Sequence, residues 1–154
     1  MNGRSHGEGN YCYVSDKGVY KGSWFDGKKE GFGELVIDDK YGYSGNWREN
    51  KKEGKGSYIY SNGERYDGEW FKDKKHGHGT YKYKNGDCYN GDWREDNRHG
   101  EGTMDYHNGT FYKGSWEKGK QQGRGVFNFG NGDYYDGEWL HGKMHGRGVL
   151  FRKG

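Results

Sequence analysis

The sequence predicts an all-β fold: an elongated single antiparallel sheet of stacked β-hairpins, twisted into a rod-like solenoid with a groove. Two observations predict it. The signature Tyr-x-Gly-x-Trp opens at Tyr20, Tyr43, Tyr66, Tyr89, Tyr112 and Tyr135, a constant step of 23 residues, which marks a repeat array. Within each copy the residues alternate with the period of a half-buried strand, Tyr20, Gly22 and Trp24 on one face against Lys21 and Ser23 on the other.

Composition supports the same class. Only 28% of the 154 residues are hydrophobic, too few for an ordinary layered core, while 18% are aromatic and 32 are glycine. That mixture suits repeats that touch only their neighbours, and aromatics recurring at fixed places exclude a disordered chain. The formal charge of +3, from 26 basic and 23 acidic residues, argues against a nucleic-acid partner, which calls for a strongly basic face. No apolar run is long enough to span a bilayer and no signal peptide opens the chain. Cys12 and Cys88 lie more than three repeats apart, too far for a disulfide in an in-line stack, so a reducing, cytoplasmic setting is expected.

The elements follow in order. The first strand carries Tyr20 to Trp24, and the polar stretch "FDGKKE" holds a turn centred on Lys28. Alternation then resumes with Gly31, Gly33, Leu35 and Ile37, replaced in later copies by rings such as Tyr58/Tyr60, Tyr81/Tyr83 and Phe127/Phe129. A turn at Lys28 sets Trp24 across from Gly31, Gly22 from Gly33 and Tyr20 from Leu35, so that an indole covers a strand glycine. The second turn is marked by Asn-Gly at 62/63, 85/86, 108/109 and 131/132, a strong hairpin signal. Keeping Tyr60 and Tyr66 on one face requires an odd loop, hence three residues with Gly63 left-handed. In the first repeat "DDKYG" replaces "SNGER", and an irregular junction is expected there. Six hairpins advancing roughly 10 Å each give a rod of about 60 Å.

The pattern Tyr-x-Gly-x-Trp-x-x-Gly-Lys-x-x-Gly-x-Gly, as in "YDGEWLHGKMHGRG" from Tyr135, resembles the MORN repeat, the membrane occupation and recognition nexus motif. The likeness covers residues 20 to 150, and "GRSHGEG" at 3–9 resembles the second half of one more copy. The expected organisation is a partial repeat over 1–19 and an array over 20–154 with copies opening at 20, 43, 66, 89, 112 and 135, a fragment of a longer array. The resemblance implies a scaffold, often dimeric, tied to cytoskeletal, ciliary or cell-cortex assemblies, with an older association with phosphoinositides. Some relatives carry a kinase or methyltransferase domain, for which no residues are left over here.

The expected function is therefore a non-catalytic scaffold that binds a protein partner and self-associates. The aromatic face is the expected partner groove, with Tyr20, Trp24, Tyr43, Trp47, Tyr66, Trp70, Tyr89, Trp93, Tyr112 and Trp116 as anchors and an amphipathic helix as one occupant. Phe25, Phe71 and Leu140 break the polar face and form a secondary patch. Open sheet edges pair with other chains, so Trp139, Val149, Leu150 and Phe151 of the last hairpin are the expected homodimer contacts. Lys51, Lys52, Lys74 and Lys75 outline a basic stripe for anionic phospholipid, although Glu49 and Asp73 interleave with them and lower its field. His76 and His78 have the spacing that begins a metal site, which Cys88 or a second chain would complete. Histidine recurs at His99 and His145, however, which favours a structural place, and no cofactor is expected. Catalysis needs groups placed once beside an orienting neighbour, and acids and histidines recurring at solvent positions do not supply them.

Overall fold

The structure is a computed structural model that describes the backbone of residues 7–12 and residues 18–154 in full. The rest of the expected partial repeat, and the side chain of Cys12, lie outside the described residues. The chain divides into two compact units, one up to Lys75 and one from His76 to Gly154.

The first unit contains β1 (Gly7–Cys12), β2 (Val19–Phe25), β3 (Lys28–Ile37), β4 (Tyr41–Arg48), β5 (Lys51–Ile59) and β6 (Arg65–Phe71). The boundary falls inside β7 (Lys74–Lys82), and the second unit continues with β8 (Cys88–Arg94), β9 (Asn97–Asp105), β10 (Phe111–Glu117), β11 (Lys120–Asn128), β12 (Tyr134–Leu140) and β13 (Lys143–Phe151). In each unit strands adjacent in sequence are adjacent in an antiparallel sheet, as expected for stacked hairpins.

The first turn of each hairpin differs from the expectation. It is a two-residue turn at Asp26–Gly27, with φ of 48° and 73°, and it recurs at Glu49–Asn50, Lys72–Asp73, Glu95–Asp96, Lys118–Gly119 and His141–Gly142. Positive φ at both central residues defines type I′, whose twist matches that of the flanking strands. Phe25 therefore pairs with Lys28, and Trp24 with Lys29 rather than Gly31. A bulge follows before Gly22 meets Gly33 and Tyr20 meets Leu35, the two pairs that form as expected. Left-handed Gly31 (φ 75°) sits in that bulge and pairs on its other side with Trp47 of the next hairpin. The tryptophan facing each bulge glycine thus comes from the following repeat.

The second turn is the expected three-residue one. Gly63, at φ 88°, donates its N–H to the Tyr60 carbonyl at 2.9 Å, and the Tyr60 N–H donates to the Glu64 carbonyl at 2.9 Å. The first junction does depart from this form: Asp38 and Asp39 are both left-handed, at 51° and 53°, between paired Ile37 and Tyr41.

A row of glycines crosses each sheet where the two Gly columns meet, Gly22, Gly33, Gly45, Gly56 and Gly68 in the first unit. In the second, Gly79, Gly91, Gly102, Gly114, Gly125, Gly137 and Gly148 continue the pattern. The Tyr20 ring lies across this row: a Cβ on Gly33 would overlap it, as one on Gly56 would overlap Tyr43 and one on Gly102 would overlap Tyr89. Each of these phenols donates to a carbonyl just before the tryptophan of its own strand, Tyr20 to Ser23 at 3.1 Å and Tyr43 to Asn46 at 2.9 Å. With no side chain beneath, Tyr20, Tyr66, Tyr89 and Tyr112 are completely buried.

The glycine row is therefore required for space, whereas the turn glycines are required for φ. Gly102→Ala is expected to lower stability by at least ~1–3 kcal/mol through overpacking against Tyr89. Gly109→Ala meets open space at a φ of 84° and should cost only about 1 kcal/mol. Urea unfolding of the two variants beside the parent protein checks the order.

Candidate interaction surface

The buried tyrosines and tryptophans form a ladder of edge-to-face contacts. Tyr20 meets Trp24 of its own strand at 5.2 Å between ring centroids and Trp47 of the next repeat at 5.5 Å. In the second unit Tyr89 meets Trp93 and Trp116 at 5.1 and 5.3 Å, and Tyr112 meets Trp116 and Trp139 at 5.1 and 5.0 Å. Such pairs contribute about 0.5–1.5 kcal/mol beyond area burial. The indoles of Trp47, Trp70, Trp93, Trp116 and Trp139 also donate their N–H to a row glycine of the preceding repeat, Trp47 to the Gly33 carbonyl at 3.0 Å and Trp139 to that of Gly125 at 3.0 Å.

These contacts correct the expected groove. Tyr20, Trp24, Tyr43, Trp47, Tyr66, Trp70, Tyr89, Trp93, Tyr112 and Trp116 are all buried, because they fill the space above the glycine row and pack on each other. They are the core and offer a partner little surface. The rings that retain exposure lie further along the strands that follow the bulges. Tyr58 and Tyr60 in the first unit and Tyr83, Tyr106 and Phe127 in the second are half-buried, and Phe129 is 37% exposed. Tyr58 touches Tyr60 at 4.5 Å and Trp70 at 6.0 Å, so this outer layer rests on the core.

The bulge also moves half of the basic residues. Because Trp24 pairs with Lys29, that column of side chains lies over the rings. The Lys29 ammonium is 4.6 Å from the Trp47 ring centroid, Lys52 is 4.8 Å from Trp70, Lys75 is 5.8 Å from Tyr60, and the Arg98 guanidinium is 4.6 Å from Trp116. Of the expected lipid-facing lysines, Lys52 and Lys75 are thus half-buried in cation–π contacts, and Lys51 and Lys74 stand exposed beside the turns. The interleaved acids do structural work as well. The Glu30 carboxylate accepts the Glu49 N–H at 2.9 Å, Glu53 accepts that of Lys72 at 3.0 Å, and Asp73 accepts that of Lys52 at 2.8 Å, each tying one turn to the next. Sequence reasoning missed this column. Treating Asp26–Gly27 as a type I′ turn would have placed Lys29 opposite Trp24.

On the opposite, polar face His78 contacts the Asn90 side-chain oxygen at 2.9 Å and Asp92 at 3.4 Å. His76 is half-buried, and left-handed Gly77 between the two interrupts the alternation on which a shared face depended. Burial pushes the Cys88 thiol up. Among the described residues no group of three or more His, Cys, Asp or Glu is placed to hold a metal ion. In the last hairpin Trp139 belongs to the core, whereas Val149, Leu150 and Phe151 are 66%, 50% and 46% exposed. Phe25 and Phe71 are exposed, and Leu140 is half-buried.

The class of protein this defines is a β-hairpin repeat array, cohered by aromatic columns that link each repeat to the next. The MORN repeat matches at residues 20–39, 43–65, 66–88, 89–111, 112–134 and 135–154, and the chain belongs to the MORN repeat family. Repeats of this family are in general protein- and lipid-interaction repeats on an all-β scaffold that is typically non-catalytic. No curated protein matches the chain.

Burial pushes the Tyr20 phenol up to about 12 and raises those of Tyr43, Tyr89 and Tyr112 further. An unfolded tyrosine loses its proton near pH 10. Stability is expected to be flat up to about pH 10 and to fall above it, because the unfolded chain then releases protons that the folded chain retains. Urea midpoints against pH, with tyrosinate absorbance on the same samples, check this. Lys52→Ala should cost about 0.5–2 kcal/mol through its lost ring contacts, against at most ~0.5 kcal/mol for Lys51→Ala, again by urea unfolding.

Proposed function

We propose that the protein is a non-catalytic scaffold that binds a protein partner in a cytoskeletal or cell-cortex assembly, and that the partner docks on the outer aromatic layer. One observation carries this reading: the inner rings are consumed by the core, while Tyr83, Tyr106 and Phe129 of the second unit keep exposed surface on the same face. Aromatic side chains that are held from below are good anchors, since little conformational freedom remains to be lost on binding. An amphipathic helix is the occupant that presents a matching apolar stripe. Self-association is assigned to β13 through Val149, Leu150 and Phe151, with Trp139 supporting them from the core.

The test is a photo-crosslinking residue at position 106 and another at Lys113 on the polar face, introduced into the protein in cells. The expected result is a discrete adduct from position 106, and loss of that partner from purified Tyr83→Ser/Phe129→Ser protein that still unfolds in one cooperative transition. Adducts from Lys113 alone would move the partner to the other face. Light scattering of Val149→Lys/Phe151→Lys beside the parent protein tests self-association, with a halving of mass as the expected outcome.

Anionic lipid is a second reading, supported by the exposure of Lys51 and Lys74. Sedimentation with phosphatidylserine vesicles at two salt concentrations tests it. Binding through these lysines weakens with salt and in Lys51→Ala/Lys74→Ala, and no binding at low salt removes the reading.

A further inference from the structure

On the polar face, a row of outward positions crosses β2 to β5 and reads Val19, Val36, Gly42 and Ile59, paired in that order. The counterparts of Gly42 in the later repeats are Arg65, Cys88, Phe111 and Tyr134, all of which carry side chains. Gly42 leaves a gap in that row. Val36 and Ile59 lie two strands apart, about 10 Å between backbones, and among the described residues no side chain fills the space between them. The result is a hollow of about 260 Å³ with Gly42 as its floor. Val36 and Ile59, each 39% exposed, form its walls.

The hollow is built into the backbone. At the φ of 147° that Gly42 adopts, a Cβ would overlap the Leu35 carbonyl oxygen, so the position admits no side chain. The adjoining Asp38–Lys40 turn, unlike the Asn-Gly turns elsewhere, is held by Tyr41, whose hydroxyl donates to the Asp38 carboxylate at 3.0 Å. Small-molecule sites usually enclose about 300–1,000 Å³, so this space suits a single side chain better than a cofactor. Its aliphatic walls, Val36 and Ile59, are completed by Ser44 and Ser57. Its rim carries two carboxylates, Glu34 and Asp39, against one ammonium, Lys40.

We infer that this hollow is a second binding site, on the face opposite the aromatic layer, that takes one large apolar side chain of a partner protein flanked by lysine or arginine. The aliphatic walls receive the side chain and the net negative rim favours the neighbouring cation. The site is independent of the partner docking proposed above, and each stands or falls by its own test.

The experiment is an amide NMR titration of the isotopically labelled protein with three capped dipeptides, acetyl-Arg-Phe-amide, acetyl-Glu-Phe-amide and acetyl-Arg-Gly-amide. With Arg-Phe, the expected shifts centre on Val36, Gly42 and Ile59, and binding is roughly threefold tighter than for Glu-Phe, the scale of an exposed ion pair. Arg-Gly produces no localised shifts. Ser57→Phe, which fills the hollow, abolishes the Arg-Phe response, and Ser44→Leu serves as a second filling variant should the first not fold. Shifts that are absent, spread evenly over the sheet, or undiminished in the filled variant overturn the site. Equal binding of Arg-Phe and Glu-Phe overturns the cationic flank.

Discussion

A tyrosine ring lying across backbone that carries no side chain is the contact on which each hairpin depends. A chain with 28% hydrophobic residues cannot build a core from aliphatic layers, so it builds one from a few large rings pressed against the sheet itself. Each ring buries roughly 150–250 Å², or about 4–6 kcal/mol gross at 25 cal/mol/Å². That gain requires glycine at two facing positions, Gly22 and Gly33 beneath Tyr20, even though glycine weakens a strand by about 0.5–1 kcal/mol. The ring more than offsets the backbone cost, and the two columns recur together for that reason.

The tryptophan performs a different task. Its indole sits across from the bulge glycine of the preceding repeat and donates to a row glycine there, as Trp70 does to Gly56 at 3.2 Å. Tyrosine closes the hairpin and tryptophan joins hairpins. The bulge makes both possible, because it inserts extra residues after the type I′ turn and brings Lys29 and its counterparts over the rings. Half-buried ammonium groups on aromatic faces keep the core edge wet at little cost, since the alkyl stems still cover apolar surface.

Much of this was legible in the sequence, and the failures have definite physical causes. Period-two alternation and Asn-Gly spacing placed the strands and the three-residue turn at Gly63, since both signals are local. The first turn was misplaced because residues such as Glu49–Asn50 and Lys72–Asp73 do not advertise left-handed geometry as plainly as Asp26–Gly27 does. That error carried Trp24 onto Gly31 and hid the bulge. The ten ring residues of the expected groove were recognised as a shared face, but alternation does not distinguish a face that packs on itself from one that is open. Burial of Tyr66 depends on its edge-to-face contact with Trp70, a three-dimensional fact.

In a repeat whose columns are committed to cohesion, specificity has to reside where copies differ. The core positions vary little, Tyr at every signature and Trp at every joint, and a partner reading only those would find each repeat alike. The outer positions vary freely: Ile37, Tyr60, Tyr83, Tyr106 and Phe129 succeed one another in one column, and Gly42, Arg65, Cys88, Phe111 and Tyr134 in another. The first column changes the hydrogen-bonding capacity of an apolar strip, since Tyr60 and Tyr106 accept contacts from Lys75 and Gln121 that Phe129 cannot accept. The second alternates void, charge, thiol and ring along the polar face. A partner laid along the second column within one unit would therefore meet a different chemistry from repeat to repeat, which fixes its register in a way that the uniform core cannot.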